Sequence, residues 1–165
     1  MKSAFIILLT AFSANFSASA FAAPAVGDSS TYNVTITKDG VAKNVSDTQE
    51  ITAIDQDTGV VTEKQTLAVG PTVISTQSMT TSLDQLNQYD MIVDNCDALS
   101  KAPPAGTTVA SEQITVAAGT FMACHLTTAT EEIYFAHVPN GILKLNGKAD
   151  DGSLIAMELA SFIKK

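Results

Sequence analysis

Apolar and polar positions alternate along most of this chain. Tyr32, Val34 and Ile36 interleave with Asn33, Thr35 and Thr37, the period of two that marks a half-buried strand. The run ends at Lys38-Asp39-Gly40, and Asp-Gly is a strong hairpin signal, so a returning strand is expected over Val45–Ile54. Asp57-Thr58-Gly59 turns the chain into Val60–Val69, where Val61, Leu67 and Val69 share a face. Gly70-Pro71 then leads to a threonine-rich strand over Thr72–Thr80. One segment leaves this rhythm. Ser82-Leu83-Asp84-Gln85 has the form of a capping box and predicts a helix over 82–94, with Leu83, Leu86 and Asp90 on one face and Tyr89 and Val93 beside it. Lys101 to Gly106 contains Pro103 and Pro104, which remove backbone donors, and predicts a loop.

The last third reads as a meander: Glu112–Val116, Phe121–Thr128, Glu132–Val138, a Pro139-Asn140-Gly141 turn, Ile142–Lys148, an Asp150-Asp151-Gly152 turn, and Leu154–Ile163. Here the alternation is apolar on both faces. Phe121, Ala123 and His125 oppose Met122, Cys124 and Leu126, so both sides of these strands are expected to be covered. The pattern predicts a mainly β fold with one or two helices: a curved antiparallel sheet or incomplete β-barrel with a helix packed against it.

The first 22 residues follow a different pattern. Lys2 precedes the apolar run Phe5–Leu9, and Ala20-Phe21-Ala22 is a small-x-small cleavage signal. Ser13, Asn15, Ser17 and Ser19 interrupt the stretch, leaving it too short and too polar for a spanning helix. A cleaved secretory signal peptide over 1–22 and a single domain over 23–165 are expected. No cysteine follows the cleavage site, which argues against a lipid anchor. The expected product is periplasmic or secreted, without a transmembrane segment in its mature part.

That mature part carries eight lysines against seventeen acids, a net charge of −9, and the chain contains no arginine. Arginine is the usual fork for phosphate and nucleic-acid backbones, so nucleic acid is excluded as an expected partner. The acidity fits solubility or a cationic partner. Cys96 and Cys124 are the only cysteines. In an exported chain they predict a disulfide, the alternatives being buried free thiols or an intermolecular bridge. Their wide spacing points to a structural rather than a redox-active pair.

Ile114 to Cys124, followed by Ile133-Tyr134-Phe135 and Val138-Pro139-Asn140-Gly141-Ile142-Leu143-Lys144, resembles a group of uncharacterised periplasmic proteins related in fold to the lipoprotein-carrier family. In these a small-Gly-Thr-Phe-x-Cys hairpin precedes an aromatic strand and a Val-Pro-x-Gly-x-x-Lys turn. The resemblance covers 112–163 well and the amino-terminal half only by strand pattern. It implies an incomplete β-barrel that holds acyl chains under its helix, with Leu83, Leu86, Met91, Phe121, Phe135, Met157 and Phe162 as pocket residues. The same residues also suit an ordinary core.

Catalytic signatures are not found: there is no Gly-x-Ser-x-Gly, phosphate-binding glycine loop, His-Glu-x-x-His or Cys-x-x-Cys. His125 and His137 would face each other across a hairpin centred near Glu131, where Glu131 or Glu132 would complete a metal set. Ordinary surface histidines or a proton switch are the other readings. Asp55-Gln56-Asp57-Thr58-Gly59 starts like a calcium loop, but Thr66 stands at the twelfth position, and it and Asp150-Asp151-Gly152 read as turns. No enzyme activity, cofactor or metal is expected. The expected function is an exported, non-enzymatic binding protein for a lipid or other apolar ligand. The alternative is a cell-envelope interaction or structural module, without a cavity, that binds a protein or glycan through edge strands or the 101–106 loop.

Overall fold

The computed structural model describes residues 23–165; the leader expected over 1–22 lies outside the described residues. Nine strands follow the alternating segments: β1 (Ser29–Lys38), β2 (Val41–Asp55), β3 (Val60–Val69), β4 (Thr72–Ser82), β5 (Thr108–Val116), β6 (Gly119–Thr127), β7 (Glu131–Phe135), β8 (Ile142–Lys148) and β9 (Leu154–Ile163). Two helices, α1 (Leu83–Asp94) and α2 (Cys96–Lys101), sit between β4 and β5. All strands join one antiparallel sheet in the order β4-β3-β2-β1-β9-β8-β7-β6-β5. Two meanders therefore meet at β1 and β9, and β4 and β5 are the edges.

The helix starts where its sequence predicts. Ser82 Oγ accepts the Gln85 N–H at 3.1 Å, satisfying one of the open amides of the first turn. The other half of the expected box does not form. Gln85 instead accepts from the Thr81 hydroxyl and donates to Tyr89 Oη, while the Leu83 N–H goes to Gly59 O. Replacing Ser82 by Ala is expected to cost about 1 kcal/mol, measurable by urea denaturation. The second of the one or two expected helices, the short α2, begins directly at Cys96, a position that the sequence pattern does not mark. β7 stops at Phe135 rather than Val138, because Ala136 turns to donate to Gly141 O and Val138 to Ala136 O.

Register places one apolar row under the helix: Leu126, Ile133, Leu145 and Met157 face one another across β6–β9. Leu86, Tyr89 and Ile92 of α1 bury against this row together with Ile51, Val61 and Phe135. Cys96 and Cys124 form the predicted disulfide, with Cα atoms 5.5 Å apart, and tie the start of α2 to β6. A second cluster gathers around the β7–β8 loop, from Ala136 and Val138 to Leu143 of β8, Leu159 of β9 and Tyr32 of β1. There the tip of the β5–β6 hairpin crosses to β9, Ala118 donating to Leu159 O at 3.2 Å, and Leu143, Leu159 and Tyr32 are almost wholly buried. This crossing curls the sheet without closing it.

The ends of the domain are clasped. Buried Asp28 accepts from Lys164 Nζ at 2.7 Å and from the Lys165 N–H at 2.8 Å, beside the β1–β9 pairing at the centre of the sheet.

Candidate functional site beneath the helix

Of the side chains expected to line a pocket, Leu83, Leu86, Phe135 and Met157 come together beneath α1. Phe135 stacks on Tyr89, ring centroids 5.6 Å apart. Phe121 packs against the second cluster, where its ring meets Phe162 at 6.1 Å, and Phe162 is exposed rather than in a pocket. Met91 is half-buried and lies in neither cluster.

Next to the apolar row, the helix-facing side of the amino-terminal meander is polar. Tyr32 pairs with Asp47, Gln49 with Gln65, Ile51 with Glu63, and Gln65 with Gln77, so these residues share one face. Asp47 Oδ2 accepts from Gln49 Nε2 at 3.0 Å and Gln65 Nε2 at 2.8 Å, and Gln77 Nε2 in turn donates to Gln65 Oε1. The roof is made by Tyr89 and the β7–β8 loop, where Asn140 Nδ2 donates to Gln49 Oε1 and Ser30 Oγ to Pro139 O. His137, in the same loop, lies 3.1 Å from both Asp90 and Asp94 of α1.

Among the described residues this buried polar cluster leaves Asp47 Oδ1 without a partner, although an orphaned buried polar group costs about 1–3 kcal/mol, while the buried Tyr32 Oη has only the Ser30 hydroxyl beside it. Burial holds the Tyr32 phenol well above its ordinary range and also raises that of Tyr89. The Glu63 carboxyl is raised first by burial and then by the charge of Asp47.

A raised carboxyl has a definite linkage sign. The folded state keeps the Glu63 proton above the pH at which the unfolded chain releases it, near 4.5, so this group lowers stability as pH rises through that range and beyond. Glu63→Gln is expected to melt a few degrees higher than the wild type at pH 7. The gain should vanish below about pH 4, a comparison thermal denaturation at the two pH values would check.

The histidines do not meet. Tyr134, not His137, lies opposite His125 and stacks on it with centroids 4.0 Å apart, because the β6–β7 hairpin is centred between Ala129 and Thr130 rather than on Glu131. On the outer face His125 bridges Glu112 at 2.6 Å and Glu132 at 3.1 Å. Burial and the bond to Glu132 push the Tyr134 phenol up to about 12. Among the described residues no group of three or more His, Cys, Asp or Glu is arranged to hold a metal ion. Asp55 Oδ1 accepts the Asp57 and Thr58 N–H groups, the bonding of an Asx turn. Asp151 pairs with Lys38 at 2.7 Å and accepts the Ser153 N–H. An open groove of about 530 Å³ also runs over the outer face, lined by Thr35, Thr127, Glu132, Asn146 and Ala156.

No protein-family model matches this sequence, and no curated protein matches it. Solved structures match the fold. A candidate exported protein of Bacteroides fragilis with a YmcC-like fold superimposes with a TM-score of 0.51 at 15% identity, over 87% of this chain and 99% of that one. A candidate lipoprotein of Parabacteroides distasonis gives 0.47 at 10% identity, over 84% and 96%. A LolA superfamily protein of Nitrosomonas europaea gives 0.26 at 6% identity, over 86% and 87%. The likeness to the exported protein of Bacteroides fragilis, at 15% identity, is one of fold alone. The disulfide fits an oxidising, extracytoplasmic compartment. No helix among the described residues is long and apolar enough to cross a membrane.

Proposed function

We propose that this protein is a non-enzymatic, exported binding protein that takes a mainly apolar ligand between the curved sheet and α1. The observation that carries this reading is the buried Asp47 Oδ1, which has no partner among the described residues, beside an apolar floor that includes Ile51 and Val61 and beneath Leu86 of α1. A ligand with a hydrogen-bond donor at one end would satisfy Asp47 while its hydrocarbon part displaced α1 contacts, each buried methylene contributing about 0.8 kcal/mol. α1 is suited to such movement, since side chains and the His137 contacts hold it over the sheet rather than any strand pairing.

The reading is tested by native mass spectrometry of the exported protein, followed by organic extraction. A lipid-sized adduct is expected, and Asp47→Leu should lose it while keeping the fold. A bare mass, together with no fatty-acid or dye binding at micromolar concentration, would sink the proposal. A second reading, an envelope interaction module, is supported by the uncovered outer side of β4.

A further inference from the structure

β4 is an edge strand of unusual composition. Among the described residues it pairs with β3 alone, and its residues are exposed along most of their length, including Val73 and Ile74, each more than half exposed. Edge strands are ordinarily protected by a charge, a proline, a covering element or a bulge that twists them away. The eleven residues of β4 contain no charge and no proline. Its bulge lies near one end, where Leu67 pairs with Ser75 and Ala68 with Val73, leaving Ser75–Ser82 in regular register. The opposite edge, β5, is protected: it carries Glu112, α2 packs along it, and the Cys96–Cys124 bridge fastens that helix to β6.

We infer that β4 pairs antiparallel with β4 of a second copy of this chain, about a two-fold axis at Gln77, to give one continuous sheet across the dimer. Two observations select a second copy as the occupant. The chain carries a net charge of −8, yet this strand is neutral, so two copies meet here without the like-charge opposition that their other surfaces would bring. The strand is also self-complementary about Gln77. An isologous contact sets Thr76 opposite Ser78 and Gln77 opposite Gln77, and seven of the eleven residues are Ser or Thr, suited to cross-strand hydroxyl pairs.

Gln77 adds a specific link. Its amide nitrogen donates to Gln65 Oε1, and Gln65 donates to Asp47, so a row of amides runs from the buried polar cluster to the edge. The Gln77 carbonyl oxygen has no partner among the described residues. Facing Gln77 side chains can exchange amide bonds there and join the two rows. The inference does not rest on the ligand reading, because the edge is bare whether or not α1 moves.

Sedimentation velocity of the mature protein from low to high micromolar concentration, combined with charge variants, tests it. A species of twice the monomer mass is expected to grow with concentration. The double variant Thr76→Lys/Ser78→Lys, which sets lysines opposite each other twice in the proposed register, should weaken the dimer at least tenfold. Thr76→Lys/Ser78→Glu sets lysine opposite glutamate and should restore it, while circular dichroism checks that each variant keeps its strands. A monomer at every concentration overturns the inference, as does a dimer indifferent to paired lysines. A monomeric lysine–glutamate variant overturns the register. A chain that stays monomeric but binds foreign extended peptides along β4 also overturns self-pairing.

Discussion

Replacing Cys96 and Cys124 by serine is expected to lower stability by about 3–4 kcal/mol, the chain-entropy value for a bridge between residues 28 apart. For a domain of this size that corresponds to roughly 10–15 °C in melting temperature. The loss should be read as a shift in urea midpoint between oxidised and reduced protein, with the double serine variant matching the reduced form. Local structure adds to the entropic term. The bridge joins the first residue of α2 to the middle of β6, and Cys124 is 1% exposed within the cluster beneath the helix. Its loss therefore frees the element that covers the β5 edge, and faster proteolysis between 96 and 107 should accompany the fall in midpoint.

Gly141→Ala is expected to cost about 2–4 kcal/mol. Gly141 has φ +68°, where a side chain costs about 1 kcal/mol, and an added Cβ would clash with Tyr89 Cβ and lie 2.8 Å from its Cγ. Rotation of the tyrosine cannot relieve a clash with its own Cβ, so loop and helix must part, an overpacking strain of about 1–3 kcal/mol. Gly40→Ala is the control. Its φ is also positive, at +77°, but nothing lies within 4 Å, so only the backbone cost of about 1 kcal/mol should appear. Equal melting temperatures for the two variants would show that Gly141 does not hold the loop against the helix.

Strands bounded by glycine turns were legible in the sequence almost to the residue. Val60–Val69 lies between Gly59 and Gly70, Ile142 follows Gly141, and Leu154 follows the Asp150-Asp151-Gly152 turn; all three strands occur with the expected bounds. Ser82 likewise marks the start of α1. The six residues of α2 were not legible, because so short a helix shows little periodicity. Nor was the buried polar cluster. Val45, Asp47, Gln49 and Ile51 share one face of β2 by alternation, but alternation does not say which face a helix will cover. Its roof depends on contacts such as Asn140 to Gln49, 91 residues apart in sequence, which no local pattern encodes. The histidine pairing failed for a different reason: the β6–β7 turn is centred between Ala129 and Thr130 rather than on Glu131, and that shift sets Tyr134 opposite His125.

The pairing of β1 with β9 has a kinetic consequence. The first and last strands of the sheet are neighbours at its centre, so the two meanders cannot join until the final strand is available. Contacts of such long sequence separation make folding slow. For a chain exported unfolded, as in the proposed function, this order would delay folding in transit: the domain locks only once Leu154–Ile163 is in place and Lys164 reaches Asp28.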